Sequence, residues 1–187
     1  MDKDNKLMHI LKEWVIPIVI AFILYKLITN FVFFNSKIPS ESMYPTLQIN
    51  DRLFTSRIFS KDKLETGDIV VFFKDEKPDV LYVKRLIGMP GDVVDLKENG
   101  DVYINGELLD EPYVKNQIDQ EAFEKGLYSP MQLGEYKVPE GKVFFLGDNR
   151  DNSGDSRYWS EPYISIDNII GKPMFRLWPM NRFGKIE

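Results

Sequence analysis

Three stretches of this chain hold side chains that could do chemistry together, and what the chain lacks narrows that chemistry. It has no Cys and a single His, His9. Thiol catalysis, disulfides and cysteinyl zinc or iron–sulfur sites are excluded, and one imidazole leaves almost no transition-metal chemistry. A Ser-His-Asp triad needs an imidazole, and His9 precedes a long apolar run. A serine nucleophile here must use a lysine or a carboxylate as its base, and Ser-Lys pairs are an established variant.

A free lysine titrates near about 10.4, so at pH 7 fewer than about one in a thousand is neutral. Each unit of depression reflects about 1.36 kcal/mol of differential solvation, which places a basic lysine in an apolar strand with hydroxyl rather than carboxylate neighbours. Lys84, inside Val80-Leu81-Tyr82-Val83-Lys84-Arg85-Leu86-Ile87-Gly88, has that setting, whereas most other lysines lie among charges or turns. On a strand it shares a face with Tyr82 and Leu86, and Arg85 shares the other with Val83 and Ile87. Read alone, Lys84 and Arg85 are two charges on an edge strand. The serines concentrate in Ile38-Pro39-Ser40-Glu41-Ser42-Met43-Tyr44-Pro45-Thr46-Leu47. Prolines on either side fix backbone angles, as a positioned nucleophile loop requires, although a linker leaving a membrane has the same composition. The third stretch is Gly147-Asp148-Asn149-Arg150-Asp151-Asn152-Ser153-Gly154-Asp155-Ser156-Arg157. A calcium-type acidic loop and a solvated charge run are its plain readings, and the alternation of Arg with Asp suggests internally paired charges.

These side chains need elements to position them. The chain is 187 residues long, 43% hydrophobic and 28% charged, a globular composition that supports one ordinary domain. Its 24 basic and 29 acidic residues give net −5, against a nucleic-acid partner, which normally demands a basic surplus. Residues 14–34 are predominantly apolar with Lys26 as the one formal charge, 21 positions that match the roughly 20 needed to cross about 30 Å of hydrocarbon. A cleavable signal peptide has an apolar core of only about 7 to 15 residues, and Phe34-Asn35-Ser36 lacks a small-x-small cleavage pattern, so the segment reads as a permanent anchor. Residues 1–13 form the tail before it, with Lys3, Lys6 and Lys12 favouring a cytoplasmic N-terminus; Lys37 lies near the other end. The single-pass arrangement puts residues 35–187 outside.

The remainder is acidic, residues 38–187 carrying 19 basic and 26 acidic side chains for net −7. Its apolar residues come in short β-rich runs at 52–58, 68–73, 80–88, 93–96, 102–104, 143–146 and 169–177, separated by Gly, Pro, Asn and Asp. Asn105-Gly106 between two such runs signals a two-residue hairpin, since both turn positions need positive φ. Residues from about Lys115 to Gly134 read as loop or short hairpin. The fold expected is mainly β: an N-terminal transmembrane helix followed by an antiparallel β-sheet domain.

Together the three stretches resemble the type I signal peptidases of bacteria, membrane-anchored Ser-Lys proteases, in their short single-anchor form. Residues 39–47 look like the nucleophile box, Tyr82 to Asp92 the lysine box and Gly147 to Arg157 the Gly-Asp-Asn-Arg box, while Gly67-Asp68-Ile69-Val70-Val71-Phe72 is similar to a structural box. The resemblance implies a catalytic domain of the signal peptidase and SOS-repressor protease type. It further implies that Ser42 is the nucleophile and Lys84 its general base, that Ser153 orients the lysine, and that Ser40 with the Ser42 N–H forms the oxyanion hole. Arg85, Asp148, Arg150, Asp155 and Arg157 would then support the site without reacting, and the reaction would need no metal and no cofactor. The Lys84 amine is expected within hydrogen-bonding range of the Ser42 hydroxyl. The chain is too short for the second span and inserted β-domain of larger members.

Ser42 lies eight residues beyond Phe34, at most about 29 Å of extended chain, so the nucleophile is tethered near the membrane face. This suits a substrate concentrated in two dimensions: exported preproteins, which the resemblance gives small residues at the first and third positions before the cut. Ile38 and Val83 are the expected pocket residues. The lipid bilayer is a second partner; Met43, Tyr44 and Phe59 are candidate contacts, as are Trp178 and Met180 in the tail, where Phe175 and Leu177 read as core. Two other readings stand beside the peptidase: a self-cleaving Ser-Lys domain, and a non-catalytic membrane-anchored binding module or inactive homologue.

Overall fold

The structure, a computed structural model, describes residues 8–9, 11–114 and 133–186. The polar stretch read as loop or hairpin therefore falls outside the described residues from 115 to 132.

A 21-residue apolar helix runs from Leu11 to Phe31, opening with a π-helical turn and continuing as α1 (Ile16–Phe31). Pro17 sits in the first turn of α1, where its missing N–H breaks no helical bond. None of the α1 side chains is buried. At about 1.5 Å per residue the helix is roughly 31 Å long, enough to cross a bilayer. It begins and ends three residues earlier than the apolar run at 14–34. The aromatic and β-branched residues Val32, Phe33 and Phe34 leave the helix, and strand β1 (Phe33–Lys37) starts at once. Val32 alone joins the two: its N–H donates to Ile28 and its carbonyl accepts from Arg57 at 2.8 Å. The Phe33 ring lies 4.6 Å from that of Phe54.

All the strands pair antiparallel. An eight-stranded sheet has the order β1, β2 (Arg52–Ser56), β11 (Ile169–Trp178), β3 (Ile69–Lys74), β4 (Lys77–Gly88), β9 (Lys142–Leu146) and β10 (Tyr163–Ser165), with β12 (Gly184–Lys185) on β11. A smaller sheet orders β7 (Glu107–Leu108), β6 (Val102–Ile104), β5 (Val93–Leu96) and β8 (Gly134–Lys137). Asn105 and Gly106 turn the β6–β7 hairpin with φ of 53° and 87°, as their sequence demands. Phe72 and Phe145 stack at 4.1 Å in the core of the large sheet, and Ile87, Val94, Val138 and Phe144 pack the two sheets together.

Two packing expectations are corrected. Met43 is 1% exposed and belongs to the core with Ile38, Leu47 and Leu53, so it offers nothing to a membrane. Phe175, read as core, is 43% exposed, because β11 shifts register against β2 between Pro173 and Phe175 and again between Arg176 and Trp178. Trp178 and Met180 are exposed, Leu177 and Phe59 half-buried.

Candidate active site

Strand β4 changes character along its length. Val80 and Leu81 are exposed, whereas every residue from Lys84 to Gly88 is buried. Lys84 pairs with Val70 of β3 and is 4% exposed. Desolvation pushes its pKa down from 10.5 to about 8, with Asp155 opposing, Arg157 assisting and Asp148 weakly opposing. Carboxylates thus do act on this lysine, contrary to the expectation of hydroxyl surroundings. Burial prevails because both carboxylates are committed to arginines, and among the described residues the Lys84 ammonium has no hydrogen-bond or ion-pair partner.

The segment carrying the serines is a loop closed at its base. The Ile38 N–H donates to Asp51 and the Asn50 N–H donates to Ile38, both at 2.9 Å. The Asp51 carboxylate accepts from the Gln48 N–H and pairs with Arg176 at 3.0 Å and Arg182 at 3.2 Å. Two positions apart, Ser40 and Ser42 bring their hydroxyls to 3.3 Å. Ser42 makes no hydrogen bond to Lys84, so that close expectation is not met; the two instead line the same two openings. One is a groove of about 400 Å³ containing Ile38, Val83 and Phe34, the other a recess of about 440 Å³ reaching Asn152 and Gly154. Ser40, Ser42, Lys84, Ile38 and Val83 therefore converge on one cleft.

The third stretch forms its floor. The Asn149 N–H donates to the Ser42 carbonyl and its side-chain amide to the Glu41 carbonyl, both at 3.1 Å. Gly147 has no room for a side chain: a Cβ there would lie 2.1 Å from the Ser153 hydroxyl and 2.4 Å from the Ser42 carbonyl oxygen. Ser153 is buried, and among the described residues its hydroxyl makes no hydrogen bond, to Lys84 or to any other group.

Charge pairing holds this floor. Arg85 grips Asp148 with two bonds of 2.8 and 2.7 Å and donates to the Gly67 carbonyl, while the Thr46 hydroxyl donates to Asp148 at 2.6 Å. Arg157 grips Asp155 at 2.8 and 2.9 Å, and Asp155 also accepts the Gly147 N–H at 2.9 Å. Burial opposes the ionisation of Asp155, but the Arg157 charge and these hydrogen bonds outweigh it and hold its pKa below the ordinary range. Arg150 donates to the Gly147 carbonyl at 3.1 Å and forks onto Glu111. All five residues expected to support the site lie in this network.

Four members were not singled out from the sequence: Thr46, Asn149, Glu111 and Tyr113. Tyr113 lays its ring 3.6 Å from the Arg85 guanidinium carbon and donates its hydroxyl to Glu111 at 2.8 Å. Thr46 and Asn149 lay inside quoted motifs. For Glu111 and Tyr113 the only clue was Arg150 itself, a cation in a loop of paired charges that needs a carboxylate from elsewhere.

Residues 11–178 match the family of signal peptidases, peptidase S26. Signal peptidase I S of Bacillus subtilis (strain 168) is 41% identical over 177 residues, 92% of each chain. Signal peptidase I of Leptolyngbya laminosa is 38% identical over 191 residues, 98% of this chain and 85% of that one. A crystal structure of a signal peptidase I from Enterococcus faecalis V583 is 32% identical with a TM-score of 0.43, covering 59% of this chain and 96% of that one. A family match over most of the chain, and relatives this similar along nearly their whole length, lead to one conclusion: the chain belongs to the signal peptidase family, peptidase S26, and is a peptidase of that family.

Proposed function

We propose that this chain is a membrane-anchored serine endopeptidase that removes signal peptides from exported preproteins with a Ser42–Lys84 pair. The carrying observation is an amine buried, among the described residues, without a hydrogen-bond or ion-pair partner, in the same cleft as an accessible serine hydroxyl. At a pKa of about 8, roughly a tenth of Lys84 is neutral at pH 7, several hundred times the fraction of a free lysine.

With a peptide carbonyl in the cleft, the Ser42 hydroxyl oxygen attacks the carbonyl carbon as its proton passes to the Lys84 amine. The negative charge on the former carbonyl oxygen is met by the Ser42 N–H and by the Ser40 hydroxyl, turned from its contact with Ser42. Collapse breaks the C–N bond, and the Lys84 ammonium returns its proton to the leaving amine. Water, deprotonated by Lys84, then hydrolyses the ester and restores both side chains. In this reading Ser153, whose buried hydroxyl is unpartnered, turns that hydroxyl to the amine and orients it, while Arg85, Asp148, Arg150, Asp155 and Arg157 fix the surroundings. An extended substrate pairs its main chain along the groove, and Ile38 and Val83 wall pockets that admit small side chains before the cut. Residues 1–13 are cytoplasmic, the apolar helix spans the membrane, and the β domain lies on its outer side, where no nucleic acid or metal is required.

The test is cleavage in trans of a preprotein bearing Ala-x-Ala by the detergent-solubilised chain. Ser42→Ala and Lys84→Ala should abolish it, and Ser40→Ala should lower the rate about 100- to 1,000-fold. Between pH 6 and 9 activity should climb as Lys84 loses its proton, with its midpoint at about 8. Undiminished cleavage by Ser42→Ala, or a limb centred near 10, would sink the reading.

A further inference from the structure

No residue of the four-stranded sheet lines either opening of the cleft, among the described residues. Yet the chain leaving its β7 strand comes back to the large sheet. Glu111 and Tyr113 lie on that return, three and five residues beyond Leu108, and cover two buried arginines that reach the catalytic floor. Arg150 is 4% exposed in its side chain and Glu111 10%. The Arg150 fork is filled by the Glu111 carboxylate, and its remaining Nε donates to the Gly147 carbonyl. The Tyr113 ring covers Arg85, whose two bonds fix Asp148, and the Tyr113 hydroxyl holds Glu111 in place. Burial and the neighbouring Glu111 carboxylate keep that hydroxyl protonated and donating.

We infer that Glu111 and Tyr113 are positioning residues for the peptidase reaction, locking the turn at residues 147–149 against the carbonyls of Glu41 and Ser42 by satisfying Arg150 and covering Arg85. A buried guanidinium without its carboxylate moves toward water, and Arg150 would draw the Gly147 carbonyl with it. The turn has no slack to absorb this, as the space denied to a Cβ at Gly147 shows. Gly147 touches Ser153, and Asn149 bonds to both carbonyls flanking the nucleophile's own N–H. A displacement of about 1 Å there misplaces the oxyanion donor, which is enough to cost a large factor in rate. The small sheet thus acts on the reaction through one covering segment. This inference rests on the proposed role of Ser42, and a readout independent of turnover separates the two.

The experiment compares the full chain in detergent with Glu111→Gln, Tyr113→Ala and Tyr113→Phe, measuring kcat and KM for an Ala-x-Ala preprotein, thermal midpoint, and amide hydrogen exchange. Glu111→Gln and Tyr113→Ala should lower kcat at least about tenfold with KM held within about twofold. Tyr113→Phe, which keeps the ring over Arg85, should lose no more than about threefold. The Gly147 and Asn149 amides should exchange at least about ten times faster in the first two variants, while those pairing β9 with β10 stay unchanged. Should one variant fail to fold, the other carries the same test. Raised KM with kcat intact, or unchanged exchange at Asn149, overturns the inference. Accelerated exchange alongside a wild-type chain that cleaves nothing overturns the peptidase reading instead and leaves the locking role standing.

Discussion

Arg85 with Asp148 and Arg157 with Asp155 are both buried pairs, both doubly hydrogen-bonded, and both close enough to Lys84 to act on its charge, yet they turn to different neighbours. Asp148 faces the loop that carries the serines, accepting the Thr46 hydroxyl, and Arg85 reaches the Gly67 carbonyl at the far side of β4. Asp155 faces the lysine and the Gly147 amide, and is the largest charge acting on Lys84. In the proposed mechanism one pair braces the loop that carries the serines, and the other holds the largest charge bearing on how readily the desolvated amine gives up its proton. The same side-chain chemistry serves geometry in one place and proton affinity in the other, and only the third contact of each carboxylate tells them apart.

Breaking either pair gives the largest expected effect. Asp155→Asn and Asp148→Asn each strand a buried guanidinium and should destabilise the chain by about 3–5 kcal/mol in denaturant titrations. They should part in their pH profiles. Losing Asp155 removes the main counterweight to desolvation and leaves Arg157 unopposed, so the activity limb should move below 8; Asp148→Asn should move it less. Equal displacements would erase the distinction drawn between the pairs.

Next comes the lysine that both pairs surround. Its folded pKa of about 8 against 10.5 unfolded means that between those values the unfolded chain binds the extra proton, so stability rises with pH there. Below about 8 the full penalty stands, about 3 kcal/mol from 1.36 kcal/mol per unit. Lys84→Met should therefore be inactive yet more stable at pH 7, with the gap closing as pH climbs toward 10.5. A variant no more stable at pH 7 would mean the amine is not strained by burial.

The smallest effect tests the geometric pair alone. Thr46→Val removes one hydrogen bond to a charged acceptor, about 1.5–3 kcal/mol, and loosens the nucleophile loop. It should lower kcat while leaving the midpoint of the pH profile in place. A displaced midpoint would show that Asp148 is tuning charge after all.

Much of this was open to reading before any coordinates. The seven apolar runs became strands because alternation and turn residues are local signals, and Asn105-Gly106 marked its hairpin for the same reason. Ser40, Ser42 and Lys84 drew attention because the serines lie between prolines and the lysine in an apolar run, again local facts, while the choice of Ser42 as nucleophile came from the resemblance to the family. What escaped was non-local. Strands β8, β10 and β12 are two to four residues long and exist through their partners. Phe175 looked like core because a bulge cannot be seen in a pattern of alternation. Glu111 finds Arg150 across 39 positions, and no spacing rule reaches that far.

Val32 stands as a single residue between helix and strand, its carbonyl bonded to Arg57 and its amide to Ile28. With the helix as the proposed membrane anchor, a joint so pinned would make the peptidase domain a ruler: tilting or raising the helix would carry the cleft with it. Where a preprotein is cut would then be read in ångströms from the lipid surface, and lengthening the chain at this one residue would shift the scale.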